Sequence, residues 1–364
     1  MTEITCPPLA CGTKFQMIKI LELNSVTRTL LALGLAWLWP LTGLAAPLEV
    51  FVSILPQRTF VERVGGEHVR VTSLTRPGQS PETFEPTPRQ VAALAQADLF
   101  VGTGMPFETA WMARLRAANP RMRVLDARED IALLPAEDHG HGHGQARDQE
   151  HGHEAGIGQT DGHDHEAAQA PEPQAGSQAG AASVAATTPA TPDPDHVHDA
   201  GDPHVWTSPR LVARMSVNIR DTLAELDPTH AADFARNQAA FAAELTSLDS
   251  EIRALLTDLP SRQFLVFHPA WGYFAQDYDL IQVPIEQGGK EPGPRALAAL
   301  IDEARRDGIR VVFVQPQSDP RFAARIAEAI GGQLIAIDPL APDYLSNLRA
   351  VARQIAAAGK SVSP

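Results

Sequence analysis

Histidine dominates the chemistry this chain can offer. Seven of its thirteen histidines fall within residues 137–166, "EDHGHGHGQARDQEHGHEAGIGQTDGHDHE", with almost nothing apolar between them. Imidazole is the commonest protein ligand for zinc and copper, so the run points to metal. Four isolated residues point the same way. Glu82 lies in "GQSPETFEPTP", His204 in "GDPHVWTSP", His268 in "FLVFHPAWGYFA" and Asp338 in "IAIDPLAPDYL". Two imidazoles and two carboxylates suit a tetrahedral zinc ion, or manganese at higher coordination with bidentate carboxylates. Each also has a plainer reading: a solvated loop carboxylate for Glu82, a hydrogen-bonded structural histidine for His204 and His268, and a helix cap or turn residue for Asp338.

The elements around these four set where each would stand and leave both readings open. Apolar β-rich runs at 48–55, 69–75, 98–104 and 123–127 alternate with helical patterns at 56–66, 88–97 and about 107–117. A second set follows, with strands at 264–269, 281–285, 309–316 and 333–340 and helices near 294–307, 320–330 and 343–358. Such alternation implies parallel sheets covered by helices. Between the sets, residues 231–256 keep a helical apolar spacing without a breaker. The expected architecture is α/β: two lobes, each a parallel sheet flanked by helices, joined by one long backbone helix. The lobes span 47–230 and 259–364, with the connecting helix at 231–258. In parallel sheets, ligands bind beyond the carboxyl ends of the strands. Glu82, His268 and Asp338 follow strands, and His204 lies where order resumes after residue 201.

Residues 135–201 break the pattern. Nine of the thirteen histidines lie there, followed by a stretch rich in Ala, Pro, Gly and Ser. Such a segment cannot bury a core, and the expectation is a disordered, His-rich insertion in the first lobe. At the N-terminus, "TRTLLALGLAWLWPLTGLAA" (27–46) follows Lys19 and ends in small residues, the layout of a signal peptide over 1–46. Both cysteines, Cys6 and Cys11, precede that run, so a processed chain would hold metal only through His, Asp, Glu or water. The net charge of −14 argues against nucleic acid as a partner and is compatible with cations.

From about Leu48 onward the chain resembles the metal-specific solute-binding proteins of ABC importers for zinc and manganese. The likeness rests on "VFVSILPQ", "GGEHVRVTSLTRPGQSPETFEPTPRQVAALAQADLFVGTGMPFE", "DPHVWTSP", "FLVFHPAWGYFAQDYDL", "IEQGGKEPGP", "VVFVQPQ" and "IDPLAPDYLSNL", in the right order. The His- and acid-rich insertion before "DPHVW" resembles the zinc branch. The resemblance implies metal ligands at Glu82, His204, His268 and Asp338. It further implies a periplasmic monomer that binds Zn2+, with Mn2+ or Fe2+ as alternatives, and passes it to an ABC permease in the inner membrane. One position departs from the pattern: the family carries "PH" where this chain has "PE" at Glu82. Glu85 or a loop histidine is then the alternative donor, and a carboxylate hardens the site toward manganese or iron.

Other readings stay open. The chain can be a metal buffer or chaperone acting through the His-rich segment. It can also be a secreted metallohydrolase, although no HExxH motif is present. His68 and His230 match no ligand position and are expected at the surface. Trp206, Trp271, Tyr273 and Phe274 are expected to pack in the core around the two isolated histidines.

Overall fold

The computed structural model describes residues 46–135 and 201–360. The expectations for the signal peptide and for the His-rich insertion therefore lie outside the described residues.

The first sheet is built from β1 (Leu48–Val52), β2 (Val69–Ser73), β3 (Leu99–Gly102) and β4 (Arg123–Asp126), in the order β2-β1-β3-β4. The second uses β5 (Gln263–Val266), β6 (Ile281–Pro284), β7 (Val311–Val314) and β8 (Gln333–Ala336), in the order β6-β5-β7-β8. All pairings are parallel. Each sheet therefore starts at an inner strand, steps to one side and then crosses to the other. β3 and β7 are buried along their whole length, as inner strands of a parallel sheet covered on both faces must be.

Among the described residues, nine α-helices complete the fold: α1 (Leu55–Gly65), α2 (Pro88–Leu94), α3 (Pro106–Ala118), α4 (Pro209–Leu226), α5 (Ala231–Leu256), α6 (Gly272–Asp277), α7 (Pro294–Arg306), α8 (Pro320–Ala329) and α9 (Tyr344–Lys360). The strands are shorter than their apolar runs suggest, because the strand ends hand over to helices and turns. The run 48–55, for example, stops at Val52, and the buried Gln57 side chain accepts the Ser53 and Ile54 N–H groups and donates to Gly102 O. Helices α4 and α6 had no counterpart in the periodicity reading.

α5 holds the molecule together. It is a helix of 26 residues, about 39 Å long at 1.5 Å per residue. Its buried face, Phe234, Gln238, Phe241, Leu245, Leu248, Ile252 and Leu256, repeats every three or four residues. That face packs against α4 and α1 of the first lobe and α9 of the second. A single apolar cluster consequently runs from Val50 and Phe60 through Phe241 to Val266, Phe313 and Tyr344. In the second sheet the pleat alternates: Phe264 and Val266 enter this shared core, while Leu265 and Phe267 face a smaller one with Val312, Ala323 and Ile326.

A shared core predicts joint unfolding. Phe241 is fully buried and packs on Phe60 with ring centroids 6.1 Å apart. Phe241→Ala should cost about 3–5 kcal/mol. Urea unfolding followed by tryptophan fluorescence and by circular dichroism should still show one coincident transition at a lower midpoint. Separate transitions for the two lobes would contradict the single core.

Candidate metal centre

Three of the four sequence candidates converge. The Nε2 atom of His268 lies 2.7 Å from Glu82 Oε1 and 3.4 Å from His204 Nε2, and His204 Nε2 lies 3.7 Å from Glu82 Oε1. Ligand atoms of a tetrahedral zinc ion stand about 3.3 Å apart. A circle through the three atoms has a radius of about 1.9 Å, so all three could reach one ion at ordinary zinc–ligand distances. Among the described residues, this is the one group of three or more such side chains whose ligand atoms lie within 4.8 Å of one another.

Each of the three side chains reaches the cluster from a different element. Glu82 comes from the loop between β2 and α2, where Ser80 Oγ lies 3.3 Å from its backbone N–H and 3.4 Å from its Oε2. His268 stands two residues beyond β5, at the edge where the second sheet reverses its strand order, a position that favours ligand binding. His204 precedes a 3-10 turn at Val205–Thr207.

Both rings are oriented by carboxylates. His204 Nδ1 lies 2.6 Å from Asp202 Oδ1, which also accepts the His204 backbone N–H at 2.9 Å. His268 Nδ1 lies 2.9 Å from Glu286 Oε2. The β5–β6 register pairs residues eighteen apart, such as Val266 with Pro284, and His268 with Glu286 keeps that offset past the strand ends. A proton held at each Nδ1 leaves each Nε2 lone pair facing the cluster. Asp202 and Glu286 were not among the sequence candidates. The signals for them were the acid two residues before His204 in "DPH" and the acid that follows β6.

Asp338 does not join the converging atoms. Its Oδ1 accepts from Gln317 Nε2 at 3.0 Å and from the Leu340 N–H at 2.9 Å. Glu85 is exposed and lies outside the cluster. His68 and His230 are half-buried and stack on each other, with centroids 3.8 Å apart and planes 17° apart. Their partners are Asp233 and Asp227, and no ligand set converges there. Trp206, Trp271, Tyr273 and Phe274 are all buried, as expected.

A model of the family "Zinc-uptake complex component A periplasmic", ZnuA, matches residues 50–358. The chain belongs to this family. A ZnuA crystal structure shares 35% identity and superposes with a TM-score of 0.68, over 86% of this chain and 99% of the other. A ZnuA deletion mutant with zinc bound gives 35% and 0.69, over 87% and 100%. The zinc-binding protein AdcA of Streptococcus pyogenes serotype M3 is 25% identical over 297 residues, which is 80% of this chain and 50% of AdcA. The chain thus spans about half the length of the AdcA relatives it matches. A putative metal-binding protein of Treponema pallidum is 26% identical over 294 residues, 79% of this chain and 78% of its own. The resemblance read in the sequence, to the zinc type of metal-specific solute-binding protein, is therefore to the family that matches.

The electrostatics of the site favour a cation. Burial opposes charge on His268, but its hydrogen bonds to Glu286 and Glu82 outweigh that cost and lift its pKa to about 9. For His204, burial works downward and the Asp202 and Glu82 contacts work upward, with a net rise. Burial would raise the Glu82 carboxyl, yet both imidazoles hold it well below its usual range. Three carboxylates therefore surround two imidazoles, and in the metal-free protein a proton on His268 Nε2 occupies the position that a metal would take.

Metal must displace that proton. Calorimetry at pH 7 in buffers of different ionisation enthalpy should show at least one proton released per zinc bound, and affinity should climb with pH until about 9. The stability of the metal-free chain runs the other way. The raised His268 pKa contributes stability below the ordinary value of 6.5, and that contribution is lost as pH rises through about 9. Zinc binding without proton release would contradict this assignment.

Proposed function

We propose that this chain is the extracytoplasmic receptor of a zinc importer of the ABC type. It captures Zn2+ between its two lobes and delivers the ion to a membrane permease, acting as a monomer in the periplasm. The observation that supports this reading is the convergence of Glu82 Oε1 with the Nε2 atoms of His204 and His268. Asp338 is the fourth donor in this proposal. Because its Oδ1 serves Gln317 and Leu340, coordination would use its second oxygen.

Two imidazoles and a carboxylate suit zinc, and the carboxylate also admits the harder Mn2+ and Fe2+. Zinc enzymes use similar donor sets with a general base nearby. Here the two neighbouring carboxylates, Asp202 and Glu286, are engaged with imidazole Nδ1 atoms, which favours a binding site over a catalytic one.

Titration with a competing chelator tests the assignment. The tight site should be lost, by a hundredfold or more in affinity, in His204→Ala and in His268→Ala. Asp338→Asn should lose about tenfold. Competition of zinc against manganese should favour zinc in the native chain, and Glu82→His should widen that preference. Full affinity in a His204→Ala, His268→Ala double variant would refute the site.

A further inference from the structure

Tyr273 takes no direct part in the proposed site, yet it holds the chain segment that carries His204. Its ring is buried at 2% exposure on α6 of the second lobe. The hydroxyl makes two main-chain hydrogen bonds. It accepts the Leu134 N–H at 2.9 Å and donates to the Asp202 carbonyl at 2.7 Å. Leu134 and Asp202 are also joined directly, Asp202 N–H to Leu134 O at 2.8 Å. These two strands of chain are the described flanks of residues 136–200, so one phenol ties both flanks to the second lobe.

The approach is close enough to constrain side chains. A Cβ on Gly201 would stand 2.6 Å from Leu134 O and 2.7 Å from Leu133 Cβ. A Cβ on Gly272, next to Tyr273, would stand 3.1 Å from Asp202 Oδ2. Glycine at 201 lets the two flanks pair, glycine at 272 lets α6 approach the Asp202 carboxylate, and that carboxylate orients the His204 ring. Two further contacts pin the same segment to the second lobe: Trp206 Nε1–H donates to Pro339 O at 2.8 Å, and Ser208 Oγ–H donates to the Asp277 carboxylate.

We propose that Tyr273 is a positioning residue for metal binding, acting through the Asp202 main chain to set the His204 imidazole. This rests on the zinc-receptor reading above. The hydroxyl is suited to the task because it is at once acceptor and donor, which Phe cannot reproduce. Burial pushes its pKa up to about 12, so the donor proton stays in place at physiological pH.

The test is a double-mutant cycle on zinc affinity in the full chain. Tyr273→Phe should weaken zinc binding about tenfold, mostly through faster release, and should shift the ligand-field bands of the Co2+-substituted site. In a His204→Ala background the same substitution should have no further effect, since the ring it positions is gone. An unchanged affinity in Tyr273→Phe would overturn the proposal, and so would an equal loss in both backgrounds, which marks a general structural effect. Gly201→Ala, which leaves the phenol intact but separates the two flanks, should reproduce the loss and its dependence on His204. Native protein without a tight zinc site would overturn the receptor reading and this inference together, whereas tight native binding with an indifferent Tyr273→Phe overturns this inference alone.

Discussion

An imidazole serves as a metal ligand only when one nitrogen is bare and aimed. In this chain the aiming is done from behind. Asp202 grips His204 Nδ1 and Glu286 grips His268 Nδ1, so both Nε2 atoms turn to the same point as Glu82 Oε1. Each grip depends on a larger part of the fold. Glu286 is in place because β5 and β6 run parallel with an offset of eighteen residues that persists beyond their ends. Asp202 is in place because its segment is anchored on the second lobe by Tyr273, Trp206 and Ser208. The lobes in turn keep their separation because α5 and the core around it are continuous.

Much of this was legible in the sequence, for specific reasons. Strands β3 and β7 are short apolar runs placed by their length and bounding turn residues, and α5 is a breaker-free amphipathic stretch placed by its period. His268 could be singled out because it follows an apolar run. His204 stood out in "DPH" as the first histidine after the low-complexity segment. The pairing of His268 with Glu286 was not legible, since it needs the β5–β6 register, and apolar runs fix neither partner nor offset. α6 was missed because "GYFAQD" is too short to show a helical period. Asp338 was marked by its place after β8, but a strand-end aspartate has a competing use. Its Oδ1 closes the turn at Leu340, which spacing in sequence does not reveal.

The abundance of histidine and the geometry of histidine carry different information. An imidazole on an unrestrained side chain must lose conformational freedom before it can share an ion with another. His204 and His268 have lost that freedom already. Their side chains are 10% exposed, and each is hydrogen-bonded at the nitrogen that does not face the site. Folding supplies this ordering once, through core packing, so an ion bound there would not have to supply it.

The three converging side chains are held unequally. Both histidines are fastened to the second lobe: His268 belongs to it, and His204 is tied to it through Asp202, Trp206 and Ser208. Glu82 stands on a first-lobe loop, a third exposed, with Ser80 beside it. Parting the lobes would expose a core that runs from Val50 to Tyr344, at about 25 cal/mol for every Å² of apolar surface uncovered. Swinging the Glu82 side chain aside breaks one carboxylate's contacts with two imidazoles and need not unseat Phe84, two residues on, from the core. The cheaper motion leaves the imidazole pair assembled and moves the carboxylate.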